Sequence, residues 1–341
     1  MFAVGVERTL AAVQEAGLGA FVVAGVALAG SIVLRALAWA VLNRPVKHTI
    51  PFRSVLAAEL VGTAGNMITP STYLGGEPLK VAYVTKTTGH PLHEVAGTVL
   101  LAKYLEALSF MLFFSFGTLV ALARYQDVLF VQYPAAGVTL LAAAGGLLTL
   151  TGAMWLSLSR RWRPLTRLVC LLARLRVFRR FFVRLRRPTQ AMEDQVSRVF
   201  CEEGKAAWVA FLAQMGGHVV LFARPGLFLL IGSRIHLGPA ALSLIFVVSQ
   251  ALLAFQLTPS GVGPLDGGLI GTFALIGLSE AHCMAYLLCL RFWDVLVIGA
   301  GAFIGARAGA GLLTEKKVHL VEEAEASQPP EPQDGEPTPE G

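Results

Sequence analysis

Apolar residues fall in long blocks along this chain, at roughly 18–42, 95–122, 134–157, 206–232 and 283–309. A helix needs about 20 apolar residues to cross the hydrocarbon of a bilayer, so each block predicts one spanning helix. Two further apolar stretches, about 53–88 and 239–280, are interrupted midway by Pro and Gly. Each predicts a broken pair of shorter helices, either a re-entrant hairpin or two tilted spans. Between 160 and 187 Arg alternates with Leu, Val and Phe, a pattern that suits amphipathic helices on a membrane surface. Residues 189–205 read as a polar helix leading back to the bilayer, and the Glu- and Pro-rich stretch from 315 reads as a disordered tail.

The predicted fold is an all-α polytopic membrane protein. Its parts are an N-terminal segment 1–17, a transmembrane domain 18–314 and the acidic tail 315–341. Within the domain lie a first repeat at about 18–123, a linking helix 134–157, a basic segment 158–205 and a second repeat at about 206–310.

Composition agrees. The chain of 341 residues is 55% hydrophobic and 15% charged, with a mean hydropathy of +0.63. A soluble domain of that size would need more charge on its surface. The opening residues MFAVGVERTLAAVQEAG lack a basic stretch, short apolar core and small-residue cleavage site, so no signal peptide is expected. None of Cys170, Cys201, Cys283 and Cys289 forms a C-x-x-C pair, and they read as packing residues.

The net charge of +6 is uneven. The tail from Glu315 carries −6, leaving +12 on the remainder, and eleven arginines lie between Arg160 and Arg187. Beside spanning helices such a stretch reads as cytoplasmic and facing anionic headgroups, and nucleic acid is not expected as a partner. That choice places the loops around Arg44, Lys47, His48 and Arg53, and around Lys80, Lys86, His90 and His93, on the same cytoplasmic side, with the tail.

The two halves share polar positions. Thr69-Pro70-Ser71 matches Thr258-Pro259-Ser260 at a spacing of 189, and at that spacing Glu77 matches Asp266 and Arg35 matches Arg224. At a spacing of 188, Lys103-Tyr104-Leu105-Glu106 matches Arg291-Phe292-Trp293-Asp294. The second copy starts on the opposite side of the membrane from the first, which predicts an inverted repeat with its binding site between the interrupted helices. Pro ends each helix by removing a backbone donor, and Gly75, Gly76, Gly261, Gly263, Gly267 and Gly268 permit tight turns. A helix restarting after such a break offers N–H groups suited to phosphate or carboxylate.

A charge at the bilayer centre costs about 2.5–3.5 kcal/mol on insertion scales, so buried ionisable residues need partners, water or a function. Lys103 and Glu106, and Arg291 and Asp294, are three apart and share a helix face. They read either as internal ion pairs or as half-sites for an anionic headgroup. Arg35, near the end of its helix, either snorkels or joins the site; Arg224, followed by Pro225-Gly226, lies nearer mid-helix. Glu59 and Asn66 lead into the first break and are candidates to line the same cavity, though without counterparts in the second half, and His218 and His282 read as packing or interfacial residues.

Enzymatic motifs are missing. There is no G-x-x-x-x-G-K-[ST], His90-Pro91-Leu92-His93-Glu94 is not H-E-x-x-H, and no G-x-S-x-G occurs. No metal, cofactor or catalytic residue is expected, although a membrane-embedded lipid-modifying transferase would also collect Arg and carboxylates near the interface.

TPSTYLGGEPLK at 69–80, and TPSGVGPLDGG at 258–268 followed by Arg291-Phe292-Trp293-Asp294, resemble the flippase-like family, also called the lysylphosphatidylglycerol synthase transmembrane region family. The resemblance covers roughly residues 15–310, with Asp266 standing where a glutamate is expected. It implies a bacterial or archaeal inner-membrane protein that moves lipids or lipid-linked molecules between leaflets. Bifunctional members carry a soluble aminoacyltransferase domain after the membrane part; this chain has a short acidic tail there, so a stand-alone form without lysyl transfer is expected.

The expected function is therefore translocation of an anionic lipid or lipid-linked molecule, with a non-catalytic scaffold or regulatory subunit as a further alternative. Arg35, Lys103, Arg224 and Arg291 would contact the anionic part, and Glu77, Glu106, Asp266 and Asp294 would pair with them or couple protonation to movement. Thr69, Ser71, Gly75, Gly76, Lys80, Thr258 and Ser260 complete the expected substrate site. The expected partners are membrane lipids with anionic headgroups; no protein partner can be named from the sequence.

Overall fold

A computed structural model of the protein describes residues 6–43, 49–69, 75–132, 134–160, 166–167, 170–171, 190, 204–254 and 258–326. Among these residues every regular element is helical. Helix α1 (Val6–Leu42) is followed by α2 (Phe52–Ile68), α3 (Glu77–Thr88), α4 (Leu92–Gln126) and α5 (Pro134–Ser159). Then come α6 (Gly204–Ser233), α7 (Pro239–Ala254), α8 (Pro264–Leu275) and α9 (Glu280–Ala326). Most of the basic segment 158–205, with its expected surface helices, lies outside the described residues, as do Arg44, Lys47 and His48.

Among the described residues, five helices are long and apolar enough to cross a membrane: Ala16–Leu42, Leu92–Gln126, Gly137–Leu156, Gly204–Ser233 and Glu280–Gly309. They coincide with the five apolar blocks, because length and apolar composition decide both. The chain is a multi-pass membrane protein.

Both interrupted stretches break where Pro and Gly fall. Helix α2 stops at Ile68 because Thr69 precedes a proline and takes an extended conformation (φ −79°, ψ 147°). Helix α3 restarts with Pro78 in its first turn, where a missing N–H costs nothing. In the second stretch α7 ends at Ala254, a short 3₁₀ turn spans Pro259–Gly261, and Pro264 opens α8. Gly261 (φ 65°) and Gly263 (φ 94°) take backbone conformations that a side chain would strain.

Helix α9 continues to Ala326, past residue 315, where the sequence predicts disorder. Glu315–Ala326 holds no Pro or Gly and is rich in Glu, Lys and Ala, all good helix formers; Pro329 follows shortly after.

The packing pairs come in matched sets. Helices α1 and α6 lie against each other, α2 packs on α9 as α4 packs on α7, and α1 packs on α9 as α6 packs on α4. Helix α5 lies outside this scheme and packs on α4. One apolar core joins Ala20 and Ala24 of α1 to Phe228 of α6, Leu269 and Phe273 of α8, and Cys283 to Cys289 of α9. A second joins Trp39 of α1 to Val55 and Ala58 of α2, Val84 of α3, and Leu101, Leu105 and Leu108 of α4. Cys283 and Cys289 are free thiols filling the first core, as their apolar surroundings in the sequence imply.

Candidate functional site

The charges of the first half converge where α1, α2, α3 and α4 meet. Glu59, mid-way along α2 and 4% exposed, is at the centre. Its Oε1 lies 3.2 Å from Arg35 Nε and its Oε2 lies 2.8 Å from Lys80 Nζ. Arg35 also donates through Nη2 to Thr63 Oγ1 at 3.2 Å. Glu59 and Thr63 are four apart on α2, so both face the guanidinium. Arg35 thus turns inward rather than snorkelling.

Lys103 of α4 continues the cluster. Its Nζ lies 3.1 Å from Glu77 Oε1, at the start of α3, and 3.2 Å from Glu106 Oε2, one turn along its own helix. Three cations and three carboxylates therefore balance, and every cation has a carboxylate within 4.0 Å. The free space among Arg35, Glu59, Glu77, Lys80, Lys103 and Glu106 is about 10 Å³. That is room for roughly one water, not a headgroup.

The adjoining break is held by side chains. Asn66 Oδ1 accepts a hydrogen bond from the Gly76 N–H at 2.7 Å, closing the gap between α2 and α3. Gly76 sits so near the Gly62 carbonyl that a Cβ there would overlap it. Thr69 donates to the Gly65 carbonyl at 2.9 Å and lies against Gly75. Ser71 lies outside the described residues.

The second half repeats part of this arrangement. Arg291 of α9 bonds Asp266 of α8 through Nη2 and lies 3.4 Å from Asp294, one turn along its own helix. It also donates through Nη1 to the Ser260 carbonyl at 2.7 Å, so this one guanidinium fastens the break and the cluster together. Asp266 Oδ2 accepts the Gly263 N–H at 3.0 Å, capping α8, and Thr258 Oγ1 donates to the Val262 carbonyl at 2.8 Å. Ser260 has a positive φ of 49°, and its Oγ is buried with no hydrogen-bond partner.

The trio Glu77–Lys103–Glu106 thus has its equal in Asp266–Arg291–Asp294: in each, one cation bridges the acid opening a helix after the break and the acid one turn along its own helix. Arg224 of α6 is buried nearby, 6% exposed, but joins no ion pair among the described residues. The sequence match identifies both trios. Glu59, a carboxylate in an apolar helix, is expected beside the same cavity, but without a counterpart in the second half its central place between Arg35 and Lys80 is not legible from the match. His218 packs on Phe113 and lies 3.2 Å from Ser109 Oγ, and His282 bonds Ser279 where α9 begins. Both fit the packing and interfacial roles.

An apolar groove of about 310 Å³ opens beside the first break, between α2, α3 and α9. Val61, Ile68, Leu79, Gly301 and Gly305 line it, with Tyr83 and Lys86 as its polar members.

Searches of curated proteins and of solved structures found no match to this chain. Residues 1–301 match the family described as the lysylphosphatidylglycerol synthase TM region. With most of its length covered, including both breaks and both charged trios, the chain belongs to the lysylphosphatidylglycerol synthase TM region family.

Proposed function

We propose that the protein translocates an anionic lipid or lipid-linked molecule between leaflets, by way of the two charged trios beside the helix breaks. The observation that carries this reading is their shared design. Each trio is a cation held by two acids, placed where a broken helix brings backbone groups to the same point. Ion pairs serving only to lock helices would not need to recur beside both breaks. The matched packing pairs support an inverted repeat, α1–α4 against α6–α9, with the trios as its two half-sites.

A cation with two carboxylates suits exchange. A headgroup phosphate displaces one acid from Lys103 or Arg291 while the other keeps the cation in place. The displaced acid is then neutralised by a proton or by a cation of the headgroup. The tails stay outside, and the groove beside α3 offers a surface for one of them. In this reading the protein lies in the inner membrane with its basic segment and tail in the cytoplasm, as the distribution of Arg and Lys favours.

Purified protein reconstituted in proteoliposomes with acyl-chain-labelled phosphatidylglycerol tests this. Translocation predicts that label from both leaflets becomes accessible to an impermeant quencher while the mass of the lipid stays the same. No acceleration over empty vesicles sinks the proposal, and a lipid of changed mass points to a transferase instead.

A further inference from the structure

The two halves differ in one respect that bears on where an anion binds. At the spacing of 189 that relates Arg35 to Arg224, Glu59 corresponds to Val248 and Lys80 to Leu269. Val248 occupies the equivalent face of α7: a Cβ added to Gly268 of α8 would lie 3.6 Å from its side chain. Glu59 likewise faces α3, where it meets Lys80 at 2.8 Å. The second half thus has an apolar residue where the first has its central carboxylate.

Arg224 shows the consequence. Its counterpart Arg35 lies 3.2 Å from Glu59 and donates to Thr63, whose own counterpart is Leu252. Arg224 is 6% exposed, and its Nε and Nη2 are buried with no hydrogen-bond partner. Asp294 is within electrostatic range but is held by Arg291, as is Asp266. A guanidinium stays charged in a protein, so burial cannot neutralise it. Its fork of donors matches the paired oxygens of a phosphate.

We infer that Arg224 is the acceptor for the phosphate group of the ligand, and that the two half-sites are unequal. The first is closed on itself by Glu59; the second lacks that carboxylate, and the ligand takes its place. This rests on reading the trios as the headgroup path and adds which half binds the anion. The phosphate is either the phosphodiester of a lipid or free phosphate, since both present the same oxygens.

The test uses full-length protein in a maltoside detergent, which carries no phosphate, with bound phosphatidylglycerol measured by native mass spectrometry. Arg224→Gln and Val248→Glu should each weaken its binding by about tenfold or more, the first by removing the cation and the second by restoring its carboxylate. Val248→Gln, of the same size without the charge, should stay within about twofold of wild type. Without lipid, Val248→Glu should also raise thermal stability, so that stability and binding move in opposite directions. Displacement of phosphatidylglycerol by millimolar inorganic phosphate assigns the site to phosphate as such, and retention assigns it to the lipid; either keeps Arg224 as acceptor. Unchanged binding in both Arg224→Gln and Val248→Glu overturns the inference, as does equal loss in Val248→Glu and Val248→Gln. If wild type translocates lipid while those variants bind normally, only this inference fails. If wild type translocates nothing while Val248→Glu loses binding, only the transport reading fails.

Discussion

Replacing Glu59 should be among the most damaging single changes in the domain, and the structure sets its size. Glu59→Val removes the carboxylate facing two cations, the buried Lys80 at 2.8 Å and the half-buried Arg35 at 3.2 Å. Lys80 is left with Glu77 at 4.0 Å, and Arg35 with Thr63 alone. Removing one partner of a buried pair costs about 3–5 kcal/mol, mostly because a charge stays behind unpaired. Unfolding entropy is about 2.1 cal/mol/K per residue, which for 341 residues gives about 0.7 kcal/mol/K. The loss then corresponds to a fall in Tm of roughly 4–7 °C. The double variant Glu59→Val/Lys80→Leu installs the residues of the second half and removes one of the two stranded cations. It should recover about half the loss, leaving a fall of roughly 2–4 °C. Thermal unfolding in one detergent, followed by the fluorescence of the five tryptophans, measures both. A fall below about 1 °C for the single variant, or a double variant less stable than the single, would refute the claim that Glu59 holds this cluster together.

Two other contacts carry expectations of their own. Gly301→Ala would place a Cβ 2.7 Å from the Leu60 carbonyl oxygen, where α9 crosses α2. Backbone cannot yield as a side-chain tip can, so a loss of about 1–3 kcal/mol is expected, read as a lowered Tm; an unchanged Tm would mean the helices are not in such close contact. Asn66→Ala strips the Gly76 N–H of its acceptor across the first break. That should cost about 1–3 kcal/mol and speed backbone amide exchange at 75–80, while exchange in α7 and α8 stays as in wild type.

The spanning helices were legible in the sequence because about 20 apolar residues are both the signal and the structure. The breaks were legible for a similar reason: Thr69-Pro70 and Thr258-Pro259 cannot continue a helix, whatever surrounds them. Lys103 with Glu106 and Arg291 with Asp294 could be paired from spacing alone, being one turn apart. Glu77 and Asp266 could be chosen but not paired, since their partners lie on another helix and depend on how the chain folds back. Arg35 has the same limitation. Its position near a helix end suits snorkelling, and only the face that α2 presents decides for Glu59 and Thr63. The end of α9 is not legible from the acidic composition of the tail, because the helix propensity of Glu315–Ala326 carries the helix past residue 315.

The central claim is that a lipid headgroup passes through the two trios, and the most direct measurement compares Lys103→Ala and Arg291→Ala with wild type. Each variant removes the cation that both acids of a trio share, at 3.1 and 3.2 Å in the first and, in the second, directly to Asp266 and at 3.4 Å to Asp294. Reconstituted at equal density in phosphatidylglycerol-containing proteoliposomes, both should translocate labelled lipid at least about tenfold more slowly, the effect of losing one charge-assisted contact. If both variants fold and move lipid at the wild-type rate, the trios are structural ion pairs and the headgroup crosses elsewhere.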